Sequence, residues 1–173
     1  MPRHYSQPRR LPVYVIGPSI AYIPLTRGLF ALVDAADAEH ISRWNWIARP
    51  MSHGIYAYRG TKKNGVNKCM SMHRELTQAL TPQVDHKNHN TLHNFRANLR
   101  PCTGTLNLGN TRIRGDNKTG AKGVFWDSGR QRYQARIRFK GKSMYLGRYS
   151  TASEASAVYR RKAAELFGEF ALD

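Results

Sequence analysis

Short apolar runs, each bounded by glycine, proline or basic residues, dominate the first half of the chain. Runs of this length between turn-forming residues predict short strands. They lie at 14–16, 21–26, 28–33, 55–59 and 68–72. Apolar residues that recur every three or four positions predict helices at 34–43, with Asp34 as the N-cap, and at 72–80.

The clearest alternation of polar and apolar residues lies at 132–139. The polar face of this predicted strand carries Arg132, Gln134, Arg136 and Arg138. The apolar face carries Tyr133, Ala135, Ile137 and Phe139. Predicted strands at 122–126 and 143–149 flank it, and a helix is predicted at 152–167. We therefore expect a three-stranded antiparallel sheet that packs one face on a helix and presents a row of arginines on the other.

The charge of the chain is strongly positive. Among 173 residues, 28 Lys and Arg stand against 11 Asp and Glu, a formal net charge of +17. Such an excess favours a polyanion, DNA or RNA, over an acidic small molecule. No apolar run approaches the ~20 residues that span a bilayer, so we expect no membrane insertion. Cys69 and Cys102 make no disulfide framework, which is typical of an intracellular protein.

The composition predicts two domains joined by a basic linker. Residues 110–118 are rich in glycine, asparagine and basic side chains, as linkers are. The net charge is shared, with +9 in residues 1–109 and +8 in residues 110–173. Residues 1–12 are polar, basic and proline-containing, which predicts a mobile arm. The expected division is 1–109, 110–118 and 119–173, in an α+β fold.

Chemistry-bearing side chains concentrate between residues 84 and 107. Asp85 and His86 are adjacent, Asn98 begins an Asn-Leu-Arg stretch, and Asn107 closes the segment. In this order the residues resemble the HNH nucleases, and within them the phage homing endonucleases. Asp85-His86 resembles the family's Asp-His pair, Asn98 its central asparagine and Asn107 its last metal ligand. The resemblance implies a ββα-metal nuclease domain, entered by a strand-like segment and a polar turn and ended by a short helix that carries Asn107.

The residue types suit phosphodiester hydrolysis. A histidine with a pKa near ~6.5 can take a proton from water, so His86 is the expected general base. A hard divalent cation takes oxygen ligands, which Asp85 and Asn107 provide; Mg²⁺ is expected, and Mn²⁺ is also suitable. Two interpretations of Asn98 remain open: the resemblance gives it the orientation of the His86 ring, whereas its residue type also fits a turn-stabilising amide.

Other basic and metal-ligating groups allow alternative interpretations. A structural Zn²⁺ site at His86, His89, His93 and Cys102 would need a helix there, which the neighbouring asparagines disfavour. His73 is interpreted either as a structural residue or as a phosphate contact. The basic turn at 61–67 is either a DNA contact or a solvated hairpin tip.

The C-terminal domain resembles the plant ethylene-response-factor (APETALA-type) DNA-binding domain. The resemblance rests on Gly-Val-Phe-Trp at 123–126, Tyr-Leu-Gly-Arg-Tyr-Ser-Thr-Ala-Ser-Glu-Ala at 145–155 and Ala-Ala-Glu-Leu-Phe-Gly at 163–168. It implies a sheet that enters the major groove of DNA, where arginine pairs with guanine and glutamine with adenine. The expected DNA contacts are Lys122, Trp126, Arg130, Arg132, Gln134, Arg136, Arg138, Tyr145 and Arg148.

Together the two resemblances imply a metal-dependent, site-specific DNA endonuclease of the homing type, of phage or bacterial origin. Its partner would be double-stranded DNA in the cytoplasm of a bacterial host, with no obligate protein partner. One alternative is a sequence-specific DNA-binding regulator with an inactive HNH centre. Another is an RNA-binding protein or maturase, which would prefer structured RNA to duplex DNA.

Overall fold

A computed structural model of the chain describes residues 13–16, 19–63 and 65–172. The chain forms two compact units, Met1–Pro101 and Cys102–Asp173, and each unit is described by itself. Both units combine small sheets with a few helices, in agreement with the predicted α+β class. The arm predicted at 1–12 lies outside the described residues.

The first unit contains two antiparallel three-stranded sheets and a two-stranded sheet. The first sheet consists of β1 (Tyr14–Ile16), β2 (Ile20–Pro24) and β3 (Phe30–Asp34). The second consists of β4 (Ile47–Met51), β5 (Gly54–Lys63) and β6 (Val66–Ser71). The two-stranded sheet pairs β7 (Gln83–His86) with β8 (Leu99–Cys102). The helices are α1 (Ala38–Ile41) and α2 (Met72–Thr77).

The core of the first unit forms where the short elements turn their apolar faces inward. Ile23, Val33, Ile41 and Met72 are at most 2% exposed and belong to one apolar cluster. Strand β2 alternates half-buried and buried positions, as a strand with one core-facing side does. The cluster includes residues of both three-stranded sheets and both helices, so these elements share one core.

Two predicted helices of the first unit differ from the structure, and two of its strands, β4 and β8, were not predicted. The helix predicted at 34–43 is a 3₁₀ turn at Ala35–Asp37 followed by the four residues of α1. The helix predicted at 72–80 ends at Thr77, because Gln78 adopts a left-handed conformation with φ 47°. Strand β8 was not predicted; it lies between the polar turn and the short helix.

The second unit is a three-stranded antiparallel sheet with one long helix. After α3 (Gly104–Asn107) come β9 (Val124–Asp127), β10 (Arg132–Phe139), β11 (Lys142–Tyr149) and α4 (Ala152–Phe167). The sheet order is β11-β10-β9, and α4 packs on β10 and β11. Thr151 and Glu154 form a reciprocal capping box at the start of α4. The bounds of β10 and α4 equal the predicted ones.

The division between the units falls earlier than the linker predicted at 110–118. Cys102 is 2% exposed and packs, with Leu106, in the apolar cluster of Tyr159 and Phe167. Further along, the backbone carbonyl of Gly109 accepts from the Leu172 N–H at 3.1 Å. Residues 102–109 are therefore part of the second unit in packing, while the functional division at 110–118 stays a prediction. No helix among the described residues is both long and apolar enough to cross a membrane.

Candidate functional site

Asp85 and His86 end strand β7, and both side chains are buried. Asp85 is 8% exposed and His86 is 5% exposed. The partner strand β8 brings Arg100 beside Asp85, and the Arg100 Nε and Nη2 atoms each donate to Asp85 Oδ2 at 2.8 Å. The arginine is itself 8% exposed. Asp85 is therefore held in a nearly dry ion pair by a residue that the sequence analysis did not select.

The His86 ring lies among three polar or aromatic side chains. Its Nε2 atom is 3.4 Å from Asn94 Oδ1. Its ring centroid is 5.3 Å from that of His73 and 6.0 Å from that of Tyr56. Burial lowers the pKa of His86, and the hydrogen bond to Asn94 and the charge of Asp85 only partly oppose this effect. The imidazole is therefore neutral near neutral pH, which is the form that accepts a proton.

His73, on α2, is a second neutral imidazole beside the first. Burial lowers its pKa to about 3, with smaller contributions from His86 and Arg74. Its Nε2 atom lies 3.0 Å from the hydroxyl of Ser71, the residue before the helix. An imidazole that stays neutral offers no positive charge to a phosphate, so this geometry favours the structural interpretation of His73.

Asn98 uses its side chain to hold the polar turn. Its Oδ1 accepts from the Asn88 backbone N–H at 3.0 Å. Its Nδ2 donates to Asn88 Oδ1 at 3.0 Å and to the His93 carbonyl at 2.7 Å. These contacts are those of the turn-stabilising amide. An amide that does contact the His86 ring is that of Asn94. It was not predicted, because nothing in the sequence distinguishes it from the other asparagines nearby.

The geometry of the described residues gives no support to the Zn²⁺ site considered at His86, His89, His93 and Cys102. His89 has a left-handed backbone, with φ 61°, so the histidines do not share a helical face. Both ring nitrogens of His93 lie within 3.1 Å of side-chain amides, those of Asn88 and Asn90. Among the residues that the structure describes, no three or more His, Cys, Asp or Glu side chains are grouped to hold a metal ion.

The residue types at Asp85 and Asn107 suit a hard divalent cation, because both offer oxygen atoms. Asn107 ends the short helix α3 of the second unit, whose N-cap Thr103 accepts from the Leu106 backbone N–H. A carboxylate has about four lone-pair directions, so the ion pair with Arg100 leaves directions at Asp85 in which a cation could bind. The competition with Arg100 weakens the fit, since a guanidinium already neutralises this carboxylate.

The exposed face of the sheet in the second unit, β9 to β11, carries most of the expected DNA contacts. Arg132, Arg136 and Arg138 are exposed along β10, while Ala135 and Ile137 between them are buried against α4. Tyr145, which is 52% exposed, pairs with Arg136, and Phe125, also 52% exposed, pairs with Gln134, so both rings lie on the arginine face. Trp126 is 46% exposed but pairs with Tyr133 and contacts its ring, so it lies on the other face of the sheet than predicted. Gln134 lies half-buried on the same face of the strand as the arginines. One face of the sheet thus presents cations and aromatic rings together.

Three expected DNA contacts have partners inside the second unit. Arg148 Nε lies 3.3 Å and Arg130 Nη1 lies 3.7 Å from Asp127 Oδ2. The Lys122 ammonium donates to the Gly109 carbonyl at 2.6 Å, and burial lowers its pKa to about 8. A DNA phosphate would have to compete with these partners.

Basic residues also lie beside the sheet of the second unit. A groove of about 830 Å³ is lined by the sheet and by residues 111–118 of the predicted linker. The linker side contributes Arg112 and Arg114, and the sheet side contributes Arg136 and the 52% exposed Phe125. The cationic surface therefore extends beyond the strands.

One relative was found among known proteins. The chain is 26% identical, over 163 residues, to a protein described as an uncharacterized HNH endonuclease of Acanthamoeba polyphaga mimivirus. The alignment covers 88% of this chain and 80% of that protein. No family model and no solved structure matches the chain.

Proposed function

We propose that the chain is a DNA endonuclease of the HNH type, with His86 as its general base. The observation that carries the proposal is the neutral, buried imidazole of His86, which adjoins a carboxylate at the end of β7 and is contacted by Asn94. The viral relative described as an HNH endonuclease supports the same family. Neither histidine nor carboxylate is unusual alone, but their pairing at a strand end suits hydrolysis of a phosphodiester.

In this proposal His86 takes a proton from the attacking water, and the phosphodiester opens to a 5′-phosphate and a 3′-hydroxyl. Asp85 and Asn107 would hold the divalent cation, Mg²⁺ or Mn²⁺, which when bound supplies positive charge for the leaving oxygen. Asn98 stabilises the turn after His86 through its hydrogen bonds to Asn88 and His93. Arg100 orients the Asp85 carboxylate through their ion pair.

The second unit would grip and select double-stranded DNA, which makes the enzyme site-specific and of the homing type. From Arg130 to Arg148 there are seven Lys and Arg residues and no Asp or Glu. A solvated sheet face more often mixes both signs of charge. A narrow antiparallel sheet fits the major groove, where exposed arginines such as Arg136 reach base edges and phosphates.

Nicking of supercoiled plasmid that carries DNA from the source genome tests the proposal. The wild type is assayed with Mg²⁺, with Mn²⁺ and with EDTA, beside His86→Ala. We expect metal-dependent nicking that falls by about 10²–10⁴-fold in the variant, the usual contribution of a general base. His53→Ala is the matched control, because this histidine is exposed in the turn between β4 and β5. Nicking retained in His86→Ala would move the catalytic role to another residue.

A second candidate function is DNA binding without cleavage, by a regulator with an inactive centre. The ion pair between Asp85 and Arg100 favours it, because a metal ligand that is already paired holds a cation less tightly. Tight binding of duplex DNA by the wild type, with no nicking in any divalent metal, would establish this function instead.

A further inference from the structure

The side chain of Asn94 is the most deeply buried amide near the candidate catalytic histidine. It is 1% exposed. Its backbone N–H donates to the Leu32 carbonyl of β3 at 2.7 Å, so the residue is anchored to the first sheet. An apolar side chain could fill such a position at no cost in hydrogen bonding, whereas a buried amide must find partners. The presence of an amide there calls for a role beyond packing.

Two hydrogen bonds determine how the Asn94 amide is turned. Its Nδ2 atom donates to the Leu92 carbonyl at 3.2 Å. The same carbonyl accepts from the Leu32 backbone N–H at 2.8 Å, which fixes the carbonyl against β3. If the amide were reversed, its oxygen would face the Leu92 carbonyl and two acceptors would meet. The oxygen of Asn94 therefore points to the His86 ring.

The orientation of this amide decides which nitrogen of His86 carries the proton. Asn94 Oδ1 is only an acceptor and lies 3.4 Å from His86 Nε2. The favoured neutral ring is accordingly protonated on Nε2 and keeps its lone pair on Nδ1. The contact is long, so it biases the choice of tautomer rather than binding the ring tightly.

We propose that Asn94 is a positioning residue that holds His86 in the tautomer with Nε2 protonated, so that Nδ1 is the atom that accepts the proton of water. The proposal rests on the proposed nuclease function. It assigns to two residues the two roles that were open for Asn98: Asn98 stabilises the turn through Asn88 and His93, and Asn94 orients the ring.

The test reads the tautomer directly, by long-range ¹H–¹⁵N NMR of histidine-labelled full-length protein at a pH above the ordinary pKa of histidine. In the wild type we expect the His86 signals of the Nε2-protonated form. Asn94→Leu removes the acceptor at similar size and is expected to admit the Nδ1-protonated form. Asn67→Leu is the control, because Asn67 is exposed on β6.

The same variants are then assayed for nicking. A general base in the wrong tautomer can lose up to about 10⁴-fold in turnover. We expect Asn94→Leu to lose on the order of 10–10⁴-fold in nicking activity. A purely structural role would lower activity without changing the tautomer signals of the folded fraction.

Two outcomes overturn the proposal. One is a wild-type His86 that is protonated on Nδ1, a result that needs no variant to fold. The other is an Asn94→Leu protein that is folded and keeps the wild-type tautomer. Failure of the proposed nuclease function has a different signature, namely no nicking by a wild type whose His86 is protonated on Nε2.

Discussion

The Asp85 carboxylate and the Arg100 guanidinium are an ion pair with very little water around it. Their side chains are 9% and 10% exposed, respectively. A buried pair of this kind adds little stability compared with apolar residues, but removal of one partner leaves a charge that the interior does not solvate. The pair therefore constrains which substitutions the centre tolerates.

We expect Arg100→Met to lower the free energy of unfolding by about 3–5 kcal/mol, because the buried Asp85 carboxylate loses its guanidinium partner. Urea denaturation measures the change. Arg114→Met is the control, since its ion pair with Asp116 has side chains that are 84% and 69% exposed and is expected to contribute little to stability. Equal losses in both variants would contradict the buried-pair interpretation.

The His73 imidazole makes stability depend on pH. Its pKa in the folded chain is about 3, below the ordinary value of 6.5, so the unfolded chain binds more protons between these values. Its contribution to stability is complete above the ordinary pKa and is lost as the pH falls toward 3. We expect His73→Gln to flatten the fall of the urea midpoint over this range, and the exposed His53→Gln to leave it unchanged. An equal slope in His73→Gln and wild type would show that His73 does not cause the fall.

The residues of the candidate centre differ in how well the sequence predicts their contacts. Asp85 and His86 stand out because a carboxylate next to an imidazole is itself a chemical pattern. The asparagines do not, because five of them lie between Asn88 and Asn107 and each has the same donors and acceptors. Only the path of the backbone decides that Asn94 contacts the His86 ring while Asn98 holds the turn.

Strands and helices were predictable where their two faces meet different surroundings. Strand β10 has one buried and one exposed face, so its sequence alternates and its bounds were predicted correctly. Strand β8 is four residues long and contains Arg100 and Pro101, which hide its pairing with β7. The helix predicted from Asp34 is short, because the Asp34 carboxylate accepts from the Arg96 backbone N–H at 2.8 Å and makes no side-chain cap.

Gly123 permits the backbone just before strand β9 to pass close to helix α4. Its φ is +68°, and a Cβ there would lie 2.2 Å from the Tyr159 ring and 2.6 Å from the Arg136 carbonyl. Gly120 has the same φ with open space around it. We expect Gly120→Ala to cost about 1–2 kcal/mol of stability through backbone strain alone. Gly123→Ala should cost about 1–3 kcal/mol more through overpacking, measured by urea denaturation. Equal losses would show that the close approach does not matter.

The positive charge of the whole chain predicts DNA binding that weakens steeply with salt. Released counterions make the logarithm of the affinity fall linearly with the logarithm of salt concentration, by about 0.9 for each phosphate contact. We expect Arg136→Ala either to reduce this slope by about 0.9, as a phosphate contact would, or to cost about 1–3 kcal/mol at the target sequence alone, as a base contact would.

Fluorescence anisotropy with duplex DNA, over a range of salt concentrations, measures both quantities. Arg161→Ala is the matched control, because this arginine is exposed on α4, which packs on the other face of the sheet. An Arg136→Ala protein with unchanged slope and unchanged affinity for the target would remove this residue from the DNA-contact surface.

Composition predicted two halves of the chain with a linker at 110–118, whereas the border between the two units in packing lies after Pro101. Glycine, asparagine and basic residues marked 110–118 as a linker, and this stretch has no strand or helix. The sequence before this stretch does not predict that Cys102 and Leu106 pack in the same cluster as α4. A border that depends on packing between residues distant in sequence cannot be predicted from local composition.

This border limits how the two units could be exchanged with those of other proteins. A chimaera joined at 118 would replace helix α4 and leave the cluster of Cys102 and Leu106 without its partners. A chimaera joined at 101 keeps that cluster whole, but it transfers Asn107 together with the arginine-rich sheet. If the sheet selects the target and Asn107 holds the cation, as proposed, an exchange of specificity would also exchange part of the cutting chemistry.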